Sequence, residues 1–586
     1  MSHPTATVDL MAASQPAPVG RVIGTDDATP LAFWVALAEG QYLQLDDVVV
    51  CERAVPGLDE PVRVCGVVTQ VRARHEGARF DSDVFLVADG VLPAETVEAA
   101  EVVATRVEPE VFVPPLPGAA AFRAAGAARD QALFFDRMDK RLPVGLGRDG
   151  RALYANLEFV DGTRGAHVNI SGISGVATKT TYATFLLYSL FNSGVLAEEA
   201  ANTHALIFNV KGEDLLFLDH DNTHLDDAHR DRYRTLGLVP GAFKSVEVFA
   251  PPRRGDPNAG PDVATRTQGV HSFYWTIADF VEEELLPFAF ADAEDDRQQY
   301  TMVVHNVAGA LRKHGERVDD GGWRIDGRTL RTYRELVDLI LEKVGDDHER
   351  HEWAGAATGT GTINAFVRRL LSSRRALDRL VRADVPERPR HLIETDDAQV
   401  TVVDLHNLPD RAKRFVVGVT LRRAFERKEQ TGTARPLLFV VLDELNKYAP
   451  RDGDSPIKEI LLDIAERGRS LGIVLIGAQQ TASEVERRII ANSSIRVVGR
   501  LDPAEATRPE YGFLPSTHQK RATIAKPGTM FVMQPEIPVP LVAEFPFPAW
   551  ATRPSEREGP DPTATGAAAV PDDPFAGLPG SSAGAP

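Results

Sequence analysis

The period of the hydrophobic positions changes along this chain. From Gly20 to about Glu110 they fall in short β-rich runs, FWVAL, DDVVVCE, VRVCGVVTQVRAR, DVFLVA and EVVATRV, separated by Gly, Asp and Pro. Short alternating strands at that spacing predict a small barrel or sandwich. The stretch PEVFVPPLPGAAAFRAAGAA then reads as a proline-rich crossing segment. Past Val144 come HVNIS as a strand, a glycine-containing loop, YATFLLYSLF as a helix and THALIFNVKGEDL as a strand with a polar end. Helical periodicity then dominates, in ADFVEEELLPFAF, TYRELVDLILEKV and INAFVRRLLSSRRALDRL. Apolar strand runs return in VTVVDLHNL, PLLFVVLDEL, GIVLIGAQQ and IRVVGRL, alternating with RFVVGVTLRRAFERK and IKEILLDIAERGRSL. Continuous apolar strands between helices predict a mostly parallel sheet covered on both faces.

The expected organisation is a disordered tail over 1–18, a β-barrel over 19–115 and a linker over 116–145. The first part of an α/β core follows over 146–214, a helical insertion over 215–395, the rest of the core over 396–550 and a disordered tail over 551–586. A chain of 586 residues is too long for a single core, which agrees with that division. The two cysteines, Cys51 and Cys65, stand in no metal-binding or redox spacing and read as core residues. Without a run of about 18 apolar residues or a secretory leader, a cytosolic protein with no membrane contact is expected. The formal charge of −19 argues against a general nucleic-acid coat, but leaves room for DNA in a narrow basic channel.

The chemistry starts at ISGISGVATKT. A phosphate-binding loop wraps backbone N–H groups around phosphates, sets a lysine against their charge and places the next hydroxyl on Mg²⁺. Lys179 and Thr180 supply that pair, followed by Thr181, while Gly172 and Gly175 supply backbone freedom around Val176, Ala177 and Thr178. Thr178 stands where the usual spelling has glycine, and Gly172 lies one residue too far upstream. PLLFVVLDELNKYAP adds an apolar strand ending in Asp443 and Glu444, one acid for the metal shell and one to deprotonate water. The next strand ends in Gln479-Gln480, where an amide can sense a γ-phosphate, and Arg467 and Arg469 precede it.

At this point the sequence resembles the HerA branch of the HerA/FtsK hexameric ATPases, over nearly the whole chain. FNVKGEDL, TVVDLHNLPDRAKRFVVGVTLRRAF, LDELNKYAP, AERGRSLGIVLIGAQQ and ANSSIRVVGRL follow in family order behind a barrel. The resemblance implies a RecA-like core of α/β class, ATP and Mg²⁺ bound between the subunits of a six-membered ring, and double-stranded DNA in its channel. It maps Lys179 and Thr180 to the phosphate lysine and the Mg²⁺ hydroxyl, Asp443 to the metal-shell acid and Glu444 to the base. Gln480 maps to the sensor, with Gln479 as a substitute, and Arg469 to an arginine acting across the interface, with Arg164 a second. The loop has one residue more than the family's G-x-T-G-S-G-K-S.

The expectation is therefore an ATP-driven, helicase-like DNA translocase serving a separate nuclease or anti-phage effector, since no nuclease constellation occurs in the chain. The alternative is a nucleotide-binding ring scaffold that does not turn over. A conjugation-type pump is disfavoured for want of a membrane anchor. The basic stretches LRRAFERK and RRLLSSRRALDR are candidate DNA contacts, but a solvated helix face is the preferred reading of each.

Overall fold

The structure, a computed structural model, describes residues 17–78, 80–173, 179–266, 268–290, 298–386 and 390–557. They belong to two compact units, Met1–Asp139 with Glu536–Leu541, and Lys140–Pro535 with Val542–Pro586.

The first unit is a closed antiparallel barrel. Its strands are β1 (Gly20–Val22), β2 (Ala32–Leu37), β3 (Val48–Arg53), β4 (Val62–Glu76), β5 (Glu95–Glu108) and β6 (Ala120–Arg123), in the order β1-β2-β5-β4-β3-β6. Alternate residues point inward, so Phe33, Val35, Val49, Cys51, Val64, Val68 and Val102 fill the core. Both cysteines are buried and free, and burial pushes the Cys51 thiol up to about 12. Two local readings differ. The run DVFLVA is a helix, Asp83–Ala88, rather than a strand; none of its residues is buried, so no sheet face selected the extended form. The proline-rich stretch carries β6, which pairs with β1 and β3; barrel closure requires a strand there that alanine-rich sequence does not signal.

The second unit is α/β, as expected. The strands are β7 (Arg141–Leu146), β8 (Ala152–Asn156), β9 (Val168–Ser171), β10 (His204–Asn209), β11 (Val246–Ala250), β12 (Val270–Ser272), β13 (Gly315–Arg317), β14 (Trp323–Ile325) and β15 (Arg328–Leu330). Further along are β16 (Val400–Asp404), β17 (Leu438–Asp443), β18 (Ile473–Gln479), β19 (Ile495–Val498), β20 (Thr529–Gln534) and β21 (Ile537–Glu544), of which 537–541 are counted with the first unit. The large sheet runs β12-β11-β16-β10-β17-β18-β9-β19-β20-β21-β7-β8, and β13-β14-β15 is a separate small meander. Pairing is parallel from β12 through to β19 and antiparallel from β19 to β20.

The period of two along each strand divides its residues between the faces. Leu438, Val440 and Leu442 of β17 join the cluster built with the helices Asp410–Thr431 and Pro456–Leu471. Phe439, with Ile476 and Val168, meets Tyr182, Leu186 and Leu190 of the helix Lys179–Asn192. The stretch 215–395 holds the expected helices Tyr333–Gly345 and Thr360–Leu377 but is not wholly helical, because β11 and β12 extend the main sheet from within it. ADFVEEELLPFAF is likewise split, into Ile277–Glu282 and a 3₁₀ turn at Leu286–Phe290, with Glu284 between them at φ +51°.

Candidate functional site

The parallel strands end in register. Asn209 lies opposite Asp404, Gln479 opposite Ser171, and Asp443 opposite Ala478 one step before Gln479. Polar residues at the carboxyl ends of β9, β10, β16, β17 and β18 thus form one row, where an open α/β sheet presents its ligand crevice.

Lys179 opens the helix that follows β9 and is only 4% exposed. Its Nζ donates to the Gly172 carbonyl at 2.8 Å. Burial pushes this ammonium down to about 8, against the pull of the Asp443 and Glu444 carboxylates. Thr180 Oγ1 donates to Asp443 Oδ2 at 2.8 Å, joining positions 263 residues apart. Thr181 is half-buried beside them. Gly172 is held from below, its N–H donating to Gln479 O at 3.1 Å, and a Cβ there would come within 3.2 Å of the Arg500 carbonyl oxygen. Gly175, Val176, Ala177 and Thr178 lie outside the described residues.

Asp443 is 2% exposed. Its Oδ1 accepts the Glu444 N–H at 2.8 Å, and Lys211 Nζ donates to Oδ2 at 2.8 Å. Glu444 stands just past β17 at φ +57°, a left-handed conformation that a glutamate adopts only under constraint. Lys447 Nζ holds Glu444 Oε2 at 2.7 Å, and Lys211 lies 4.0 Å from Oε1. Gln479 is fully buried, its Nε2 donating to Asn169 Oδ1 and Ser171 Oγ at 2.8 Å each. Gln480, the next residue, is exposed at the crevice edge.

Three arginines singled out in the sequence are elsewhere. Arg469 is on the last turn of Pro456–Leu471, just ahead of the amino end of β18, where its guanidinium donates to Gly162 O at 3.1 Å and Thr163 O at 2.8 Å. Arg164 neighbours that contact, stacks on the Phe159 ring at 4.6 Å and sits 3.6 Å from Glu158. Arg467 pairs with Glu429 and lies over the Phe425 ring. With about 3.3 Å of rise per residue along β18, the two edges of the sheet are on the order of 20 Å apart. Arg469 does not reach Glu444 within one chain.

The row contains residues given no role in the sequence reading. Lys211, in the turn after β10, is one. Asp404, Asn209 and His406 are others: Asn209 Nδ2 donates to Asp404 Oδ1 at 3.0 Å, and His406 Nδ1 lies 2.8 Å from Oδ2. The hydrogen bond to Asp404 holds His406 above its ordinary value, while burial raises the Asp404 carboxyl. The signal was present in NVKGEDL and VVDLHNL as polar residues closing apolar strands.

These groups fit a magnesium nucleotide. A buried lysine, and a hydroxyl hydrogen-bonded to a buried acid, are the two protein contributions such a site makes, water and phosphate oxygens supplying the rest. Among the described residues no cluster of three or more His, Cys, Asp or Glu could hold a metal by itself.

No family model matches the chain, and no curated protein is similar to it. Among solved structures it is similar to VirB4 of Thermoanaerobacter pseudethanolicus, with a TM-score of 0.42 and 16% identity over 72% of this chain and 99% of that one. It is also similar to the plasmid coupling protein TrwB in complex with ADP and Mg²⁺, with a TM-score of 0.42 and 12% identity over 72% of this chain and 92% of that one. A third similarity is to the genome packaging NTPase B204 from Sulfolobus turreted icosahedral virus 2, with a TM-score of 0.19 and 12% identity over 25% of this chain and 68% of that one. No helix among the described residues is long and apolar enough to cross a membrane.

Proposed function

We propose that the chain is an ATP hydrolase of RecA-like type that works as a ring, six-membered as in the family it resembles, and moves double-stranded DNA toward a separate nuclease or defence effector. The observation that carries the ATPase part is the 2.8 Å hydrogen bond from Thr180 to Asp443, beside Lys179 and Glu444. It unites the loop and the acidic strand end that the sequence singled out independently.

In this reading Lys179 sets its charge against the phosphates, and Thr180 and Asp443 hold Mg²⁺. Bound there, the metal would neutralise charge developing on the phosphate oxygens. Glu444, fixed by Lys447, accepts the proton of the attacking water. Gln480 orients that water; its neighbour's amide is already spent on Asn169 and Ser171. Arg469, on the far edge of the sheet, serves the site of an adjacent subunit, with Arg164 beside it.

The test is ATP hydrolysis with and without linear duplex DNA, next to Glu444→Gln. DNA-stimulated turnover that falls at least about 100-fold in the variant, with nucleotide still bound, is the expected result. One observation favours a non-hydrolysing scaffold instead: the Lys211 ammonium sits on the Asp443 oxygen that would face the metal shell. On that reading wild type and Glu444→Gln bind nucleotide alike and neither turns it over.

A further inference from the structure

The loops after β11 and β16, together with the end of the helix Thr360–Leu377, enclose a second feature on the carboxyl edge of the sheet. It is a cavity of about 800 Å³. Strand β10 separates β16 from β17, so the cavity is distinct from the crevice around Asp443.

Its lining is dominated by Arg254, Arg334, Arg375, Arg379, Arg382 and Arg411, against the carboxylates Asp378 and Asp384, in a chain whose net charge is −19. The arginines divide into two sets. Arg379 and Arg382 are each 7% exposed and already committed. Arg379 reaches Asp262 at 2.6 Å and Asn407 O at 2.7 Å, and Arg382 reaches Asp384 at 2.8 Å. They make a rigid floor. Arg254, Arg334 and Arg375 are exposed on the rim, and their side chains make no hydrogen bond or ion pair with any described residue.

Like charges gathered without partners repel one another, and a guanidinium fork matches the oxygens of phosphate. Two helix N-termini border the cavity, each with an acid in its first turn, Glu335 and Asp410. Thr332 caps Tyr333–Gly345, and Pro409 caps Asp410–Thr431 without a side-chain hydrogen bond; both caps line the cavity. The lining contains no aromatic ring on which a base could stack. Recognition there runs through phosphate charge rather than through a base.

We propose that this cavity is an anion site, separate from the nucleotide crevice, that takes a ligand presenting several adjacent phosphate groups. The shared chemistry is available from a free polyphosphate or from a nucleic-acid backbone. The proposal does not depend on the ATPase reading.

The experiment titrates inorganic tripolyphosphate calorimetrically into the full-length chain carrying Lys179→Ala, at about 0.15 M salt. Binding is expected in that background. Adding Arg254→Gln, Arg334→Gln and Arg375→Gln is expected to weaken it at least tenfold, with an unchanged thermal unfolding midpoint because these side chains support no contact. Loss of all binding with Lys179→Ala alone, or equal affinity with and without the three arginines, overturns the proposal. In the Lys179→Ala background, displacement of tripolyphosphate by a duplex DNA oligomer assigns the site to a phosphodiester backbone; retention assigns it to a free polyphosphate. An ATPase assay of the triple variant without DNA keeps the two readings apart, since that activity is expected to stay at the wild-type level.

Discussion

Lys179 is the residue whose surroundings say most about the crevice. Burial pushes its ammonium down from 10.5 to about 8. Between those values the unfolded chain binds more protons than the folded one, so this group adds stability as pH rises through that window and none below it. A phosphate arriving beside the ammonium favours the charged form. Nucleotide binding near pH 8.5 is therefore expected to take up a proton, at most one per site, detectable by calorimetry in buffers of different ionisation enthalpy. Lys179→Ala is expected to bind more weakly and to show no such uptake. The adjacent amides are a second residue-scale case. Gln479→Ala removes a fully buried hydrogen-bonded group and is expected to cost about 1–3 kcal/mol in urea unfolding, whereas Gln480→Ala is expected to leave stability within about 0.5 kcal/mol and to lower kcat.

At the scale of elements, the helix Pro456–Leu471 and the strand after it show how local sequence aims the site. Ser455 caps the helix, Pro456 occupies its first turn, and Gly472 ends it at φ +71°. The carbonyl of Gly472 accepts the Leu438 N–H at 2.8 Å, tying together the starts of β17 and β18. A Cβ on Gly472 would fall 1.9 Å from the Ala434 carbonyl oxygen, and backbone cannot step aside as a flexible side chain can. Gly472→Ala is expected to cost at least about 2 kcal/mol in urea unfolding, and to impair ATP hydrolysis through displacement of Asp443. The apolar runs of this helix and strand were legible because their periods act over a few residues. The helix at Asp83–Ala88 and strand β6 were not, since one has no burying partner and the other exists only because the barrel must close.

For the whole molecule the decisive geometry is the opposition of Arg469 and Glu444 across the sheet. If Arg469 serves a neighbour, Glu444→Gln and Arg469→Ala are each inactive alone but regain hydrolysis when mixed before assembly, because a subunit with intact Glu444 then meets a neighbour with intact Arg469. Two variants that stay inactive after mixing and demonstrated co-assembly would remove the arginine from the mechanism.

The sequence by itself determined the α/β class and the barrel ahead of the core, and it singled out the lysine, hydroxyl and acids that lie together in the crevice. Those features are written in strand and helix periods and in short motifs, where the residues that matter are neighbours along the chain. Only the tertiary structure decided that β11 and β12 join the sheet from within a helical stretch. It also placed Lys211 on Asp443, distinguished buried Gln479 from exposed Gln480, and gathered Arg254, Arg334, Arg375 and Arg411 around one cavity. These arrangements depend on strand order and on contacts between residues far apart in sequence, and no local period or spacing encodes them.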